Sequence, residues 1–383
     1  MTEKDTHPSS THPPLPPTSE DDIFSCLRLL RSRRVGISTF KRLLIEHGTA
    51  QNALAALPEV ARAAGVSRYE ICPEGVVIAE LKAARRAGAT LVAQGTAAYP
   101  DALDALNDAP PFLWALGDVS LLQKPAIAMV GARNASSLGT RMARALAREL
   151  GEAGYVVTSG LARGIDAAAH LAALETGTIA VQAGGVDVIY PAENATLAED
   201  MATRGLRLSE QPMGLQPMAR HFPARNRIIS GLSHATIVVE AAAKSGSLIT
   251  ARDALDIGRD VLAVPGHPMD ARASGCNMLI RDGATLVRNA ADVLEALAPI
   301  APRMEPELPL APPPTPPKDS RTRAEPTALH QLILDRLGPA PLAEDKLIRD
   351  LGTGADKVAP VLLDLELEGA IDRAPGGLLS RAS

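Results

Sequence analysis

The run Ala126-Ile127-Ala128-Met129-Val130-Gly131-Ala132-Arg133 decides how the rest of the chain is read. An apolar stretch stops at a glycine, and beyond it Met142, Ala145, Leu146 and Leu150 recur at helical spacing, so the order is strand, tight turn, helix. After Gly151 and Gly154 the pattern repeats: Tyr155-Val156-Val157-Thr158 is a second β-branched run, it ends at Ser159-Gly160, and another helix starts near Ile165. Two such units in succession require a parallel sheet, whose strands send their following loops to one carboxyl edge where ligands collect. Gly131 and Gly160 are therefore expected to face the same ligand.

Outward from this stretch, strand and helix alternate from Thr90 to Ala298. Apolar runs at Leu91-Val92, Phe112 to Trp114, Ile127 to Val130, Val156-Val157, Ile179 to Val181, Leu206 to Leu208, Ile237 to Val239, Val261 to Val264 and Leu286-Val287 predict about nine strands, mostly parallel. The fold class is α/β, with this sheet over residues 89–298. Residues 21–88 read as short helices around Ile23, Leu27 and Leu30, then Phe40, Leu43 and Leu44, then Leu54, Leu57 and Val60. The turn Val35-Gly36-Ile37-Ser38, followed by Lys41 and Arg42, resembles a helix–hairpin–helix whose amides hold a phosphate; a plain helical bundle is the other reading. Residues 1–20, rich in proline with little to bury, are expected to be a disordered tail. Residues 299–323 read as a stiff proline-rich linker, densest at Pro312-Pro313-Pro314. In 324–383, helical patterns around Leu332-Ile333-Leu337, Leu342-Leu347-Ile348 and Val358 to Leu367 precede a hairpin, Ile371-Asp372 through Gly376-Gly377 to Leu378-Leu379, and this order predicts a winged helix. Its hairpin carries Arg373 and Arg381 as cations, which leaves DNA binding by this domain open.

With 46% hydrophobic and 22% charged residues in a chain of 383, a sizeable core spread over two or three domains is expected. No apolar run is long enough to span a bilayer, and the polar opening does not resemble a secretory leader, so the expected location is cytoplasmic. Cys26, Cys72 and Cys276 have no CxxC spacing, which indicates neither zinc nor disulfides; all three are expected to be buried. A net charge of −5 excludes a protein basic all over, so any polyanion must be met by a local patch.

The turn Gly131-Ala132-Arg133-Asn134 lacks the GxGxxG spacing of dinucleotide sites, and no GxxxxGK[ST] occurs, which disfavours redox cofactors and ATP hydrolysis. His170, His234 and His267 are isolated from any catalytic partner and read as core or surface residues. The strand ends offer small residues and cations instead: Gly131 with Arg133, Ser159-Gly160 with Arg163, Gly184-Gly185, Phe222 through Arg225, Asn226 and Arg227, and Lys244-Ser245-Gly246. Such an edge suits phosphates, with loop amides and arginine forks donating to their oxygens. Phe222 has two readings. It is either a platform on which a base stacks, or a core residue with Arg225 and Arg227 paired to Glu210 and Glu240.

Ser159-Gly160-Leu161-Ala162-Arg163-Gly164-Ile165-Asp166, Tyr190-Pro191-Ala192-Glu193-Asn194, Ser209-Glu210-Gln211-Pro212, Phe222 to Gly231, and Lys244 to Ala251 follow one another in that order. Together they resemble the DprA (Smf) family of DNA-processing proteins, over roughly Val76 to Leu297. The resemblance implies an extended Rossmann-like domain, flanked by a helical SAM-like or helix–hairpin–helix-like domain and a winged helix. It also implies a non-enzymatic protein that binds single-stranded DNA, forms a homodimer near Cys276 to Val287, and loads the RecA recombinase during natural transformation, with no cofactor. The family's glycine-serine-arginine turn stands here as Gly131-Ala132-Arg133, so the arginine carries over and the serine hydroxyl does not. The residues expected at DNA are Gly131, Arg133, Ser159, Gly160, Arg163, Phe222, Arg225, Asn226, Arg227, Lys244, Ser245 and Gly246. The rival from another class is a phosphoribohydrolase-type enzyme on a similar sheet with Glu240 as its carboxylate, but the PGGxGTxxE pattern of those enzymes is absent. A pure protein adaptor is the third reading.

Overall fold

The structure, a computed structural model, describes residues 19–298, 328–338 and 340–382. The expected linker and most of the expected tail lie outside them. Ser19 and Glu20, which composition assigns to the tail, open the first helix: the Ser19 hydroxyl accepts from the Asp22 amide while the Asp22 carboxylate accepts from the Ser19 amide. The chain divides into two compact units, the boundary falling after Ala301.

The first unit starts with helices α1 (Glu20–Leu30), α2 (Ile37–His47), α3 (Ala50–Ala63) and α4 (Glu74–Ala87). Helix α4 was not separable in the sequence because its buried side is thin, Val77 and Ala84 plus a carboxylate, Glu80. Glu80 is buried and accepts from the Arg31 guanidinium at 2.9 and 2.7 Å and from the Trp114 indole N–H at 2.8 Å. Ala93 and Phe112 from the sheet join the apolar core of these helices, so the helical region and the sheet pack as one body rather than two.

Among the described residues the sheet has nine strands, β1 (Thr90–Ala93), β2 (Phe112–Gly117), β3 (Ala126–Gly131), β4 (Val156–Ser159), β5 (Thr178–Val181), β6 (Leu206–Ser209), β7 (Ala235–Val239), β8 (Asp260–Ala263) and β9 (Thr285–Leu286), in the order β1-β2-β6-β5-β4-β3-β7-β8-β9. From β6 to β9 all pairings are parallel, and β1 and β2 extend one edge antiparallel. The connecting helices are α5 (Ser137–Glu152), α6 (Ile165–Ala173), α7 (Ala195–Arg204), α8 (His221–Gly231), α9 (Ser247–Asp256), α10 (Ser274–Arg281) and α11 (Ala290–Leu297). Strand β3 shows why its sequence is apolar without alternation. Ala126, Ala128 and Val130 enter one core while Ile127 and Met129 enter the other, so both faces are buried.

The second unit contains α12 (Ala328–Arg336), β10 (Leu342–Ala343), α13 (Glu344–Leu351), α14 (Ala355–Leu367), β11 (Ile371–Ala374) and β12 (Leu378–Arg381), a winged helix with strand order β10-β12-β11. Leu342, expected to be helical, sits in a short strand, where it pairs with Leu379. The three cysteines are buried and free.

Candidate nucleic-acid interface

Strand order reverses between β3 and β7, the position where an open α/β sheet usually leaves a crevice at its carboxyl edge. Here the amino end of α5 is already engaged from within, although a cleft remains beside it. Glu240, just past β7 and in a left-handed conformation at φ 52°, accepts from the Ser136 amide at 2.7 Å and from the Ser136 hydroxyl. Its carboxylate lies against the first turn of α5, where a Cβ on Gly139 would stand 2.4 Å from it. The protein thus supplies its own anion to the positive end of α5. Gly131 packs closely on its neighbours: a Cβ there would meet the Val239 carbonyl at 1.9 Å and Ile165 at 2.7 Å, so strand and helix packing demands the glycine. Of the two strand-end glycines expected to face one ligand, Gly160 lines the cleft over β3, β4 and β5 and Gly131 does not.

A cleft of about 380 Å³ lies over β3, β4 and β5, and a second of about 600 Å³ lies beside Ser136, Glu240 and Val264; the first gathers the expected cations and the aromatic ring. Arg133, Gly160, Arg163, Phe222 and Arg225 line it, all expected from the sequence, together with Gln182 and Tyr190. Phe222 occupies the first turn of α8 and is half-buried. The Arg133 guanidinium carbon stands 5.4 Å from the centre of its ring, within cation–π range. The Tyr190 ring centre is 5.8 Å away at an interplanar angle of 52°, and Tyr190 is half exposed. Arg163, exposed, is held loosely by exposed Glu193 at 3.4 Å.

Arg225 forms the floor. It is buried, its Nη1 donates to the Val181 carbonyl at 2.6 Å, and its Nε has no partner. A Cβ on Gly160 would fall 1.9 Å from that Nη1, so glycine is required for the guanidinium to pass beneath the β4 loop. Burial pulls the Arg225 pKa down to about 10, against the opposing pull of Asp166, so it remains a cation at neutral pH.

The loop after β4 departs from expectation in its amides. Gly160 N–H and Ala162 N–H both donate to the buried Asp166 carboxylate, at 3.1 and 3.3 Å, and Leu161 N–H donates to His170 Nε2 at 3.3 Å. The Leu161 carbonyl accepts from Asn194 at 2.9 Å, and Leu161 itself is left-handed at φ 56°. Burial, reinforced by the Arg225 charge, pushes the His170 pKa down to about 3. The neutral ring therefore carries its proton on Nδ1 and donates to Thr178 Oγ1 at 2.7 Å, and Thr178 donates on to the Val157 carbonyl. Burial also raises the Asp166 pKa, opposed by Arg225 and the amides. The amides of Gly160, Leu161 and Ala162 are therefore already engaged within the protein rather than open to a phosphate.

Other expected residues lie elsewhere. Ser159 is buried, donating to the Met129 carbonyl at 2.6 Å. Arg227 is half-buried in a pairing with Glu210 and with Asp108 at 2.9 Å, as the core reading required. Arg225 is not paired to Glu240 as that reading also required. Asn226 does not line the cleft. Lys244, Ser245 and Gly246 lie on the β7–α9 loop, outside the cleft lining, with Lys244 exposed. Tyr190, not among the expected residues, also lines the cleft; its signal in the sequence is that it is one of four tyrosines in an aromatic-poor chain.

The family model described as DNA recombination-mediator protein A matches residues 90–298. It is flanked by matches to a DprA-like N-terminal HHH domain over 20–83 and a DprA winged helix domain over 311–377. DNA processing protein DprA of Streptococcus pneumoniae (strain ATCC BAA-255 / R6) is 47% identical over 198 residues, 51% of this chain and 70% of that protein. Protein Smf of Escherichia coli (strain K12) is 39% identical over 288 residues, 73% of this chain and 74% of that one. Among solved structures, S. pneumoniae DprA superposes with a TM-score of 0.61 at 34% identity, covering 73% of this chain and 98% of that chain. DNA processing protein A of Helicobacter pylori, described for its single-stranded DNA binding mode, gives 0.51 at 32% identity, covering 55% and 95%. No described helix is long and apolar enough to cross a membrane. The central match alone spans more than half the sequence and the flanking domains follow in the same order, so this chain belongs to the DprA (Smf) family of DNA recombination-mediator proteins.

Proposed function

We propose that this protein binds single-stranded DNA in the cleft over β3, β4 and β5 without chemically altering it, and that as a cytoplasmic homodimer it loads the RecA recombinase onto the strand during natural transformation. The observation that carries the binding is the juxtaposition of Arg133, Phe222 and Tyr190 above buried Arg225: two aromatic faces for bases, with cations beside and beneath them. Arg133 and Arg163 hold phosphates, and Arg225 adds its charge from the floor. Lys244, with Ser245 and Gly246, lies on the same sheet edge at β7, next to β3, so a strand leaving the cleft past Arg133 meets it. From β5 to β7 the edge crosses three inter-strand spacings, roughly 14 Å, enough for two or three nucleotides. Phosphate and stacking contacts carry little base information, so sequence preference is weak. The H. pylori relative's single-stranded DNA binding mode supports this reading. Recombinase loading and dimer formation rest on family membership, with half-buried Met278, Leu279 and Ile280 of α10 and exposed Leu286 offering apolar surface for a second copy. The enzymatic alternative is not favoured, because the Glu240 carboxylate is bound by Ser136.

The test is the salt dependence of oligo-dT affinity measured by fluorescence anisotropy. Arg133→Ala should weaken binding and flatten the plot of log affinity against log salt by about 0.7 for the lost phosphate contact. An unchanged slope and affinity in the folded variant would overturn the assignment.

A further inference from the structure

The winged-helix unit has a surface that duplex DNA does not suit. In such folds the helix before the wing enters the major groove, and its outer face carries cations. That helix is α14; Asp356 and Asp364 on it and Glu368 at its C-cap are exposed, with Lys357 as its lone cation. The wing does not compensate. Arg373 on β11 is held by Glu344 at 2.6 Å and Glu366 at 3.1 Å, and across residues 328–382 Asp and Glu outnumber Lys and Arg.

The same face exposes Leu363 at 55% and Leu367 at 79%, one helical turn apart and in line with Pro360. Val358, Leu362 and Leu365, on the opposite side, are buried in the unit's core. Helix α14 is therefore apolar on two sides, whereas a solvated helix over a core needs only one. We infer that the outer face of α14 docks a protein segment that is apolar at its centre and basic at its rim. The leucines supply the desolvated centre, and Asp356 at the head with Asp364 and Glu368 along one side supplies the matching charge. A second copy of this face is disfavoured, since a two-fold pairing would bring these carboxylates toward like charges.

The experiment uses the full-length protein and two short labelled helical peptides, one with leucines at i, i+3 and i+4 spacing among lysines, the other with glutamates replacing the lysines. The lysine peptide should bind and the glutamate peptide should not. Leu363→Ser/Leu367→Ser, at exposed positions, should weaken the lysine peptide by about tenfold or more with an unchanged melting temperature. Asp364→Lys/Glu368→Lys keeps the leucines and should reverse the peptide preference. Equal peptide binding by wild type and both variants would overturn the inference. So would a loss of duplex DNA binding in Lys357→Ala, or a loss of self-association in the leucine variant, which would make the occupant DNA or a second copy.

Discussion

At the scale of single residues, Phe222 separates the two readings its sequence left open, because each places the cost of truncation in a different equilibrium. The ring is half-buried, is absent from the apolar core clusters, and faces Arg133 and Tyr190 across the cleft. Phe222→Ala should therefore weaken single-strand binding by about 1–3 kcal/mol, up to roughly a hundredfold, and shift the melting temperature by only a few degrees. Phe222→Trp should restore binding, since a larger π face is tolerated at an open edge. Heavy destabilisation of the alanine variant, on the order of 3–5 kcal/mol with normal affinity once folded, would return the ring to the core. Sequence alone could identify Arg133, Arg163 and Phe222 as cleft residues, because residue type and motif order point to them. It could not separate Gly131 from Gly160, since both are strand-end glycines and only the neighbour differs: a β7 carbonyl against one, a guanidinium against the other.

Among elements, the strands were legible and the loops were not. A strand buried on both faces writes itself as a continuous apolar run, whereas the partners of a loop amide depend on where Asp166, His170 and Asn194 point once α6 and α7 have docked. That loop also makes the fold sensitive to acid. The folded His170 takes up its proton only near pH 3, while in the unfolded chain it does so near 6.5. Its contribution is thus fully present above pH 6.5 and is lost as pH falls toward 3. Asp166, with its pKa raised, acts in the opposite sense. Between pH 6.5 and 5, where ordinary carboxylates bind few protons, denaturant titrations should show stability falling by up to ~1.4 kcal/mol per pH unit from the histidine. His170→Asn, which retains an acceptor for the Leu161 amide, should flatten that limb; an identical slope in both proteins would remove His170 as its source.

Taken whole, the molecule divides differently from its sequence pattern, which separates helices from sheet at residue 88 or 89 as firmly as it separates sheet from winged helix. The cleft is built entirely within the first unit, so a chain ended after Ala301 should keep oligo-dT affinity within a few-fold of full length. Loss of all binding would move the main site to the winged helix. The buried contact of Arg31 and Trp114 with Glu80 bears on how the protein comes apart. A carboxylate shared between a helical region and a strand of the sheet cannot be abandoned by one without leaving buried charge or an unmet indole in the other, a penalty of several kcal/mol. Calorimetry should then resolve two endotherms rather than three: α1 to α4 melting cooperatively with the sheet, and the winged helix melting by itself. A separate early transition that Glu80→Gln leaves unmoved would show the helical region to be its own foldon.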